Sequence, residues 1–179
     1  MSLAAATLIP GLLLVALGAP LLFYGLGVAT AFKAFPRSQG ATVICFGAGS
    51  GWFLYQIWNL SPADFGEYRT YLFFAFAAIA ALAFKCVPDF LAVRGVCVIV
   101  LLGAMPILMA GYMDWDHPQI YFVKVLVYVG IVLGLWLGAQ PYRLRDFFGW
   151  LFARAGRSRW FGGLLLGYGL LLCGLAFSY

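Results

Sequence analysis

Charge is the scarcest resource in this sequence: 11 Lys and Arg with 6 Asp and Glu make up 9% of its 179 residues, while 65% are hydrophobic. A soluble domain carries about 25% charged and roughly 45–50% apolar residues, so a water-soluble globule is excluded. Histidine is nearly absent as well, and the single His117 rules out a bis-histidine haem held by one chain. The 4 cysteines, Cys45, Cys86, Cys97 and Cys173, form no CxxC pair and lie in or beside apolar runs. Neither a disulfide framework nor a zinc site is expected from them, because thiolate sites need several converging ligands; they read as small buried hydrophobes. No GxSxG, HExxH or glycine-rich phosphate loop occurs, so catalytic residues, a metal and a cofactor are all expected to be absent. No charge precedes Lys33, so the amino-terminal run lacks the basic region of a secretory signal and reads as a retained helix.

What is present is a series of long apolar runs, at about 8–32, 41–60, 62–84, 96–113, 118–140 and 161–177. Each is long enough to cross a bilayer as a helix. The fold class expected is all-α, a polytopic membrane bundle of six spans, and residues 1–179 form one transmembrane domain because no stretch is left to build a second core.

The charges fall in islands between these runs, and the islands differ in sign. Lys33 and Arg37, then Lys85, Asp89 and Arg94, then Arg143, Arg145, Asp146, Arg154, Arg157 and Arg159 occupy alternate loops and hold most of the bases. The other loops hold Asp64, Glu67 and Arg69, then Asp114, Asp116 and, just beyond, Lys124, hence most of the acids. Lys and Arg concentrate on the cytoplasmic side of membrane proteins. The threading therefore puts both ends of the chain outside, in a membrane of the bacterial cytoplasmic type.

Local patterns sharpen the boundaries. Ser61, Pro62 and Asp64 read as an N-cap, a first-turn proline and a capping acid, and Pro118 as the opening of the fifth span. Between 143 and 155, Leu144, Phe147, Phe148, Leu151 and Phe152 recur at i, i+3, i+4, i+7 and i+8. That spacing predicts a short amphipathic helix in the interface, with Arg143, Arg145, Arg154, Arg157 and Arg159 toward anionic lipid head groups at the inner face. Gly130, Gly134 and Gly138, and Gly11, Gly18 and Gly25, are read as faces where helices approach closely. Glycine-rich faces of this kind also suit a homo-oligomer or a larger membrane complex. Nucleic acid is not an expected partner.

Two echoes suggest internal symmetry. Leu17, Gly18, Ala19 and Pro20 resemble Leu102, Gly103, Ala104 and Pro106, and Trp52 with Gln56 resembles Trp136 with Gln140. Three spans per half would make the halves inverted, with a proline in the middle of the first and fourth spans. A proline frees a backbone carbonyl one turn earlier, which a cation or polar solute can use. No ionisable residue lies near a span centre, which disfavours a proton relay.

The function expected from these features is a small carrier or channel for a neutral or cationic solute. Its path would run past Pro20 and Pro106, with Tyr24, Gln56 and Asn59 as polar lining. Asp64, Glu67, Asp114, Asp116 and His117 would form an outer acidic vestibule, with Trp115 anchoring the loop at the interface. The alternative is a non-catalytic accessory or scaffold subunit of a larger membrane complex. A third reading, a lipid-modifying enzyme, would rest on Asp146 alone.

Overall fold

A computed structural model describes residues 1–114 and 116–179. The described residues form eight α-helices and no strand: α1 (Leu3–Phe23), α2 (Ala29–Ala34), α3 (Gln39–Trp58), α4 (Arg69–Cys86), α5 (Leu91–Ala110), α6 (Ile120–Ala139), α7 (Tyr142–Leu151) and α8 (Ala155–Ala176). Five helical stretches are long and apolar enough to cross a membrane: Leu3–Phe23, Gly66–Cys86, Leu91–Ala110, Ile120–Ala139 and Ala155–Ala176. The chain is thus built as a multi-pass membrane protein. With 20 residues, α3 matches their length and carries no charge, but Gly47, Ser50, Gly51, Tyr55 and Gln56 dilute its apolarity.

Helix ends depart from the sequence expectation for identifiable reasons. The Ser2 hydroxyl accepts from the Ala5 amide at 3.3 Å, which starts α1 at Leu3 rather than residue 8. Gly25, at φ 51°, then ends it well short of residue 32, and the chain turns through Gly25–Val28 into α2. Ser61 does not cap the helix after it. Its hydroxyl donates to the Asp64 carboxylate at 2.9 Å, and Pro62–Asp64 forms one 3₁₀ turn. Phe65 at φ 63° reverses the chain, Gly66–Tyr68 forms a second 3₁₀ turn, and α4 begins only at Arg69. Conversely, α5 and α8 start earlier than expected, taking Arg94 and Arg157 into their first turns and Arg159 just beyond. The short amphipathic helix expected over 143–155 corresponds to α7, slightly shorter at Tyr142–Leu151.

Packing follows the small residues. On α1, an added Cβ at Gly11 would meet Cys173 Sγ at 3.0 Å and the Gly169 carbonyl at 3.1 Å; at Gly18 it would meet Leu166 N at 2.6 Å. The helices α1 and α8 are therefore antiparallel and nearly backbone to backbone, where van der Waals contact replaces the missing hydrophobic drive in lipid. Gly49 lies against the Gly95 carbonyl and Val98, and Gly103 against Trp52, so α3 and α5 run parallel. An added Cβ would meet Val100 at 3.4 Å from Gly130, Leu101 at 3.3 Å from Gly134 and Cys97 at 3.9 Å from Gly138, which pairs α5 with α6 antiparallel. Both glycine ladders expected to mark helix contacts, apart from Gly25, are spent inside the chain.

One core joins Leu3 and Leu14 of α1, Ala104 of α5, Ile120, Val123 and Val127 of α6 and Leu172 of α8. A second gathers Leu21, Phe32, Phe148, Leu151, Phe152 and Phe161, so that α2 and α7 close one end of the bundle. The peripheral element is α4, which has no buried residue. It lies on α3 through three edge-to-face pairs in antiparallel register, Phe46–Phe84, Phe53–Phe76 and Trp58–Phe73, with ring centroids 5.2, 5.2 and 5.4 Å apart.

Candidate functional site

The expected pathway residues do not converge. Because α1 spans Leu3–Phe23, Pro20 falls in its last turn rather than mid-span, and Pro106 likewise lies near the end of α5. Since α1 is antiparallel to α8, α8 to α6 and α6 to α5, these two prolines sit at opposite ends of the bundle. Tyr24 lies at the same end as Pro20 and is 71% exposed. Gln56 and Asn59, both exposed, close the far end of α3, and Asn59 turns inward on its own helix, Nδ2 donating to the Tyr55 carbonyl at 2.8 Å. A helix of 20 residues is about 30 Å long, so Tyr24 cannot share a solute site with Gln56 or Asn59.

The interior supplies no polar lining either. Among the described residues, the buried polar side chains are Thr7, Thr42 and Ser158. Each hydroxyl donates within its own helix or its cap, to Leu3 O at 3.1 Å, Ser38 O at 2.9 Å and Ala155 O at 3.1 Å. Beside Pro106 lies an open groove of about 420 Å³ lined by Leu101, Ala104, Met105, Leu108, Met109 and Ile131, all apolar, and by Tyr112.

The acidic residues occupy two loops at the end of the bundle opposite α7. In one, His117 Nδ1 faces Asp114 Oδ1 at 3.1 Å, and the Asp116 amide donates to the same oxygen at 3.2 Å. The imidazole contact holds the Asp114 carboxyl below the ordinary carboxylate range. The His117 ring packs edge-on against Tyr179, 5.4 Å between centroids, and Gln119 Nε2 donates to Ser178 Oγ at 3.4 Å, so this loop is tied to the end of α8. In the other loop Asp64 is engaged by Ser61, and Glu67 is exposed. Among the described residues no three His, Cys, Asp or Glu come together as metal ligands. Trp115, the expected interface anchor, lies outside the described residues.

The arginines at the α7 end divide into two sets. Arg143 Nε donates to Gln140 Oε1 at 2.8 Å and its guanidinium lies over Trp136 at 5.4 Å. Arg145 donates twice to Asp146 Oδ1, at 3.0 and 2.8 Å, which occupies the carboxylate that a lipid-modifying reaction would need. Arg154, Arg157 and Arg159 have no carboxylate partner among the described residues. Arg157 sits 4.8 Å over the Trp150 ring and donates Nη1 to the Trp150 carbonyl at 3.2 Å. Arg159 lays its side chain against Gly25. Trp150, Gly156, Arg157, Trp160 and Phe161 line a cavity of about 190 Å³ where α7 turns into α8. In the sequence, the only sign of this cavity is the placement of Trp150 and Trp160 on either side of Arg157.

Compared with protein-family models, with curated proteins and with solved structures, the chain matches none.

Proposed function

We propose that this protein is a non-catalytic subunit or scaffold of a larger membrane complex, acting through contacts made side-on within the bilayer. The observation that carries the reading is the interior itself. The buried Thr7, Thr42 and Ser158 hydroxyls are bonded within their own helices or caps, and the groove beside Pro106 is apolar, so a hydrophilic solute would cross with little compensation for its lost hydration. Meanwhile α4 offers a whole apolar helix with no buried residue. A neighbouring apolar helix is the partner chemistry that suits such a surface.

The proposed topology has six spans, counting α3. Its support is that α3 runs parallel to α5 and antiparallel to α4, both of span length, and bears no charge. The arginine-rich α7 end is then cytoplasmic and both chain ends are outside, in a membrane of the bacterial cytoplasmic type. An inverted repeat is not part of this proposal. Matching α1 to α5 matches α8 to α4, yet α8 packs along α1 whereas α4 lies on α3.

Purification from native membranes in mild detergent, with parallel solute flux in liposomes, tests the proposal. Stoichiometric co-purification of larger membrane proteins and no flux above empty liposomes is the expected result. A self-contained monomer or homo-oligomer that conducts a neutral or cationic solute would overturn it and restore the carrier reading.

A further inference from the structure

Three arginines within six residues, Arg154, Arg157 and Arg159, stand at the turn from α7 into α8 without a carboxylate to neutralise them among the described residues. The one acid of this segment, Asp146, is already held by Arg145 on the exposed side of α7. Charge left uncompensated next to lipid is costly unless an anion comes from elsewhere. The same turn carries a cavity of about 190 Å³ whose walls are mixed: two indoles, one phenyl ring, the Gly156 backbone and the Arg157 side chain. Trp150 and Trp160 are 53% and 71% exposed, and indoles with one apolar face and one N–H settle at the head-group level of a bilayer. An added Cβ at Gly156 would meet nothing within 4 Å, so the backbone there is open to approach.

Arg157 is held ready for such a ligand. Stacking on Trp150 and bonding its carbonyl through Nη1 fix the plane of the guanidinium, while its remaining N–H groups point elsewhere than to protein acceptors described here. A planar fork of donors suits the paired oxygens of a phosphate. Below it, α7 buries Phe148, Leu151 and Phe152 in the bundle, which holds the turn at a fixed depth.

From this arrangement we infer that the α7–α8 turn is a binding site for the head group of an anionic phospholipid, with Arg154 and Arg157 on the phosphate and Trp150 and Trp160 flanking the glycerol and first acyl carbons. The site is independent of whether the protein has a protein partner.

Native mass spectrometry of the purified full chain, titrated with short-chain phosphatidylglycerol or with phosphatidylcholine of equal chain length, reads the site directly. Phosphatidylglycerol adducts should dominate, and Arg154→Gln with Arg157→Gln should lower them by about fivefold per arginine. Arg69→Gln with Lys124→Gln, at the opposite end of the bundle, should leave them unchanged. Arg154→Lys with Arg157→Lys, which keeps the charge but loses the planar fork, should recover the preference in part, which separates lost charge from damaged packing, and the melting temperature of each variant checks the fold. Equal adducts from both lipids, no loss in the glutamine pair or no rescue by lysine would overturn the inference. Full competition by inorganic phosphate at the same concentration would also overturn it, by making the site one for free anions.

Discussion

Gly18 and Gly162 face each other across the α1–α8 crossing: a Cβ on Gly18 would stand 2.8 Å from the Gly162 carbonyl oxygen, and one on Gly162 would stand 2.5 Å from Leu22 N. Both obstacles are backbone, which cannot swing aside. Gly18→Ala is expected to destabilise the bundle by about 2 kcal/mol or more, since overpacking forces the helices apart. Gly167→Ala on the partner helix α8 has nothing within 4 Å and should change little. Thermal unfolding in detergent, followed by circular dichroism, compares the two.

The Phe53–Phe76 pair, edge-to-face at 5.2 Å, is the middle rung by which α4 holds to α3. A double-mutant cycle with leucine at both positions should return a coupling of about 1 kcal/mol. Coupling near zero would mean that lipid, not the ring pair, sets the position of α4.

Leu151 is fully buried beneath α7 with Phe148 and Leu21. Leu151→Ala is expected to cost about 3 kcal/mol and to loosen α7. Limited proteolysis after the arginines of α7 should accelerate in this variant, whereas Trp150→Ala, on the exposed side, should leave the rate unchanged.

If α3 crosses the membrane, its two ends lie on opposite sides. With the native cysteines replaced by alanine, a cysteine at Gln39 and one at Asn59 should react with an impermeant maleimide from opposite faces of sealed vesicles. Labelling of both from one face would remove α3 from the spans.

Asp114 holds its proton less tightly than an ordinary aspartate because His117 bonds to its charged form. A carboxyl with a lowered folded pKa contributes stability that is complete above the ordinary aspartate value, about 3.9, and is lost as pH falls through the lower folded value. Asp114→Asn should therefore flatten the stability–pH curve on the acid side of that window. Chemical denaturation at stepped pH makes the comparison.

The sequence made the helices legible, because charge and hydropathy mark where a chain can enter lipid. It also made α7 legible: Phe148 and Leu151 are buried while Arg145 and Trp150 are exposed, as the spacing of large apolar residues requires. Which helix touches which was less accessible. Spans such as α1 and α4 are apolar on every side, so periodicity does not reveal an inward face, and only glycines such as Gly18 and Gly134 gave it away. The expected solute path failed on boundaries. A few residues' shift in the ends of α1 moved Pro20 from mid-span to a helix end, and antiparallel packing then set it far from Pro106. The cavity at Trp150, Arg157 and Trp160 depends on the angle between α7 and α8, which no linear spacing encodes.

The α1–α8 crossing also sets a schedule. The surface of α1 that ends against Gly162 and Gly169 has no partner until α8 has been made, nearly the whole chain later. At about 5–20 residues per second, that is roughly 7 to 30 seconds in which the first helix waits in the membrane with its glycine groove open. Biogenesis of this bundle therefore closes from its two ends at the last moment, and whatever occupies that groove in the interval, lipid or chaperone, must leave for the protein to be finished.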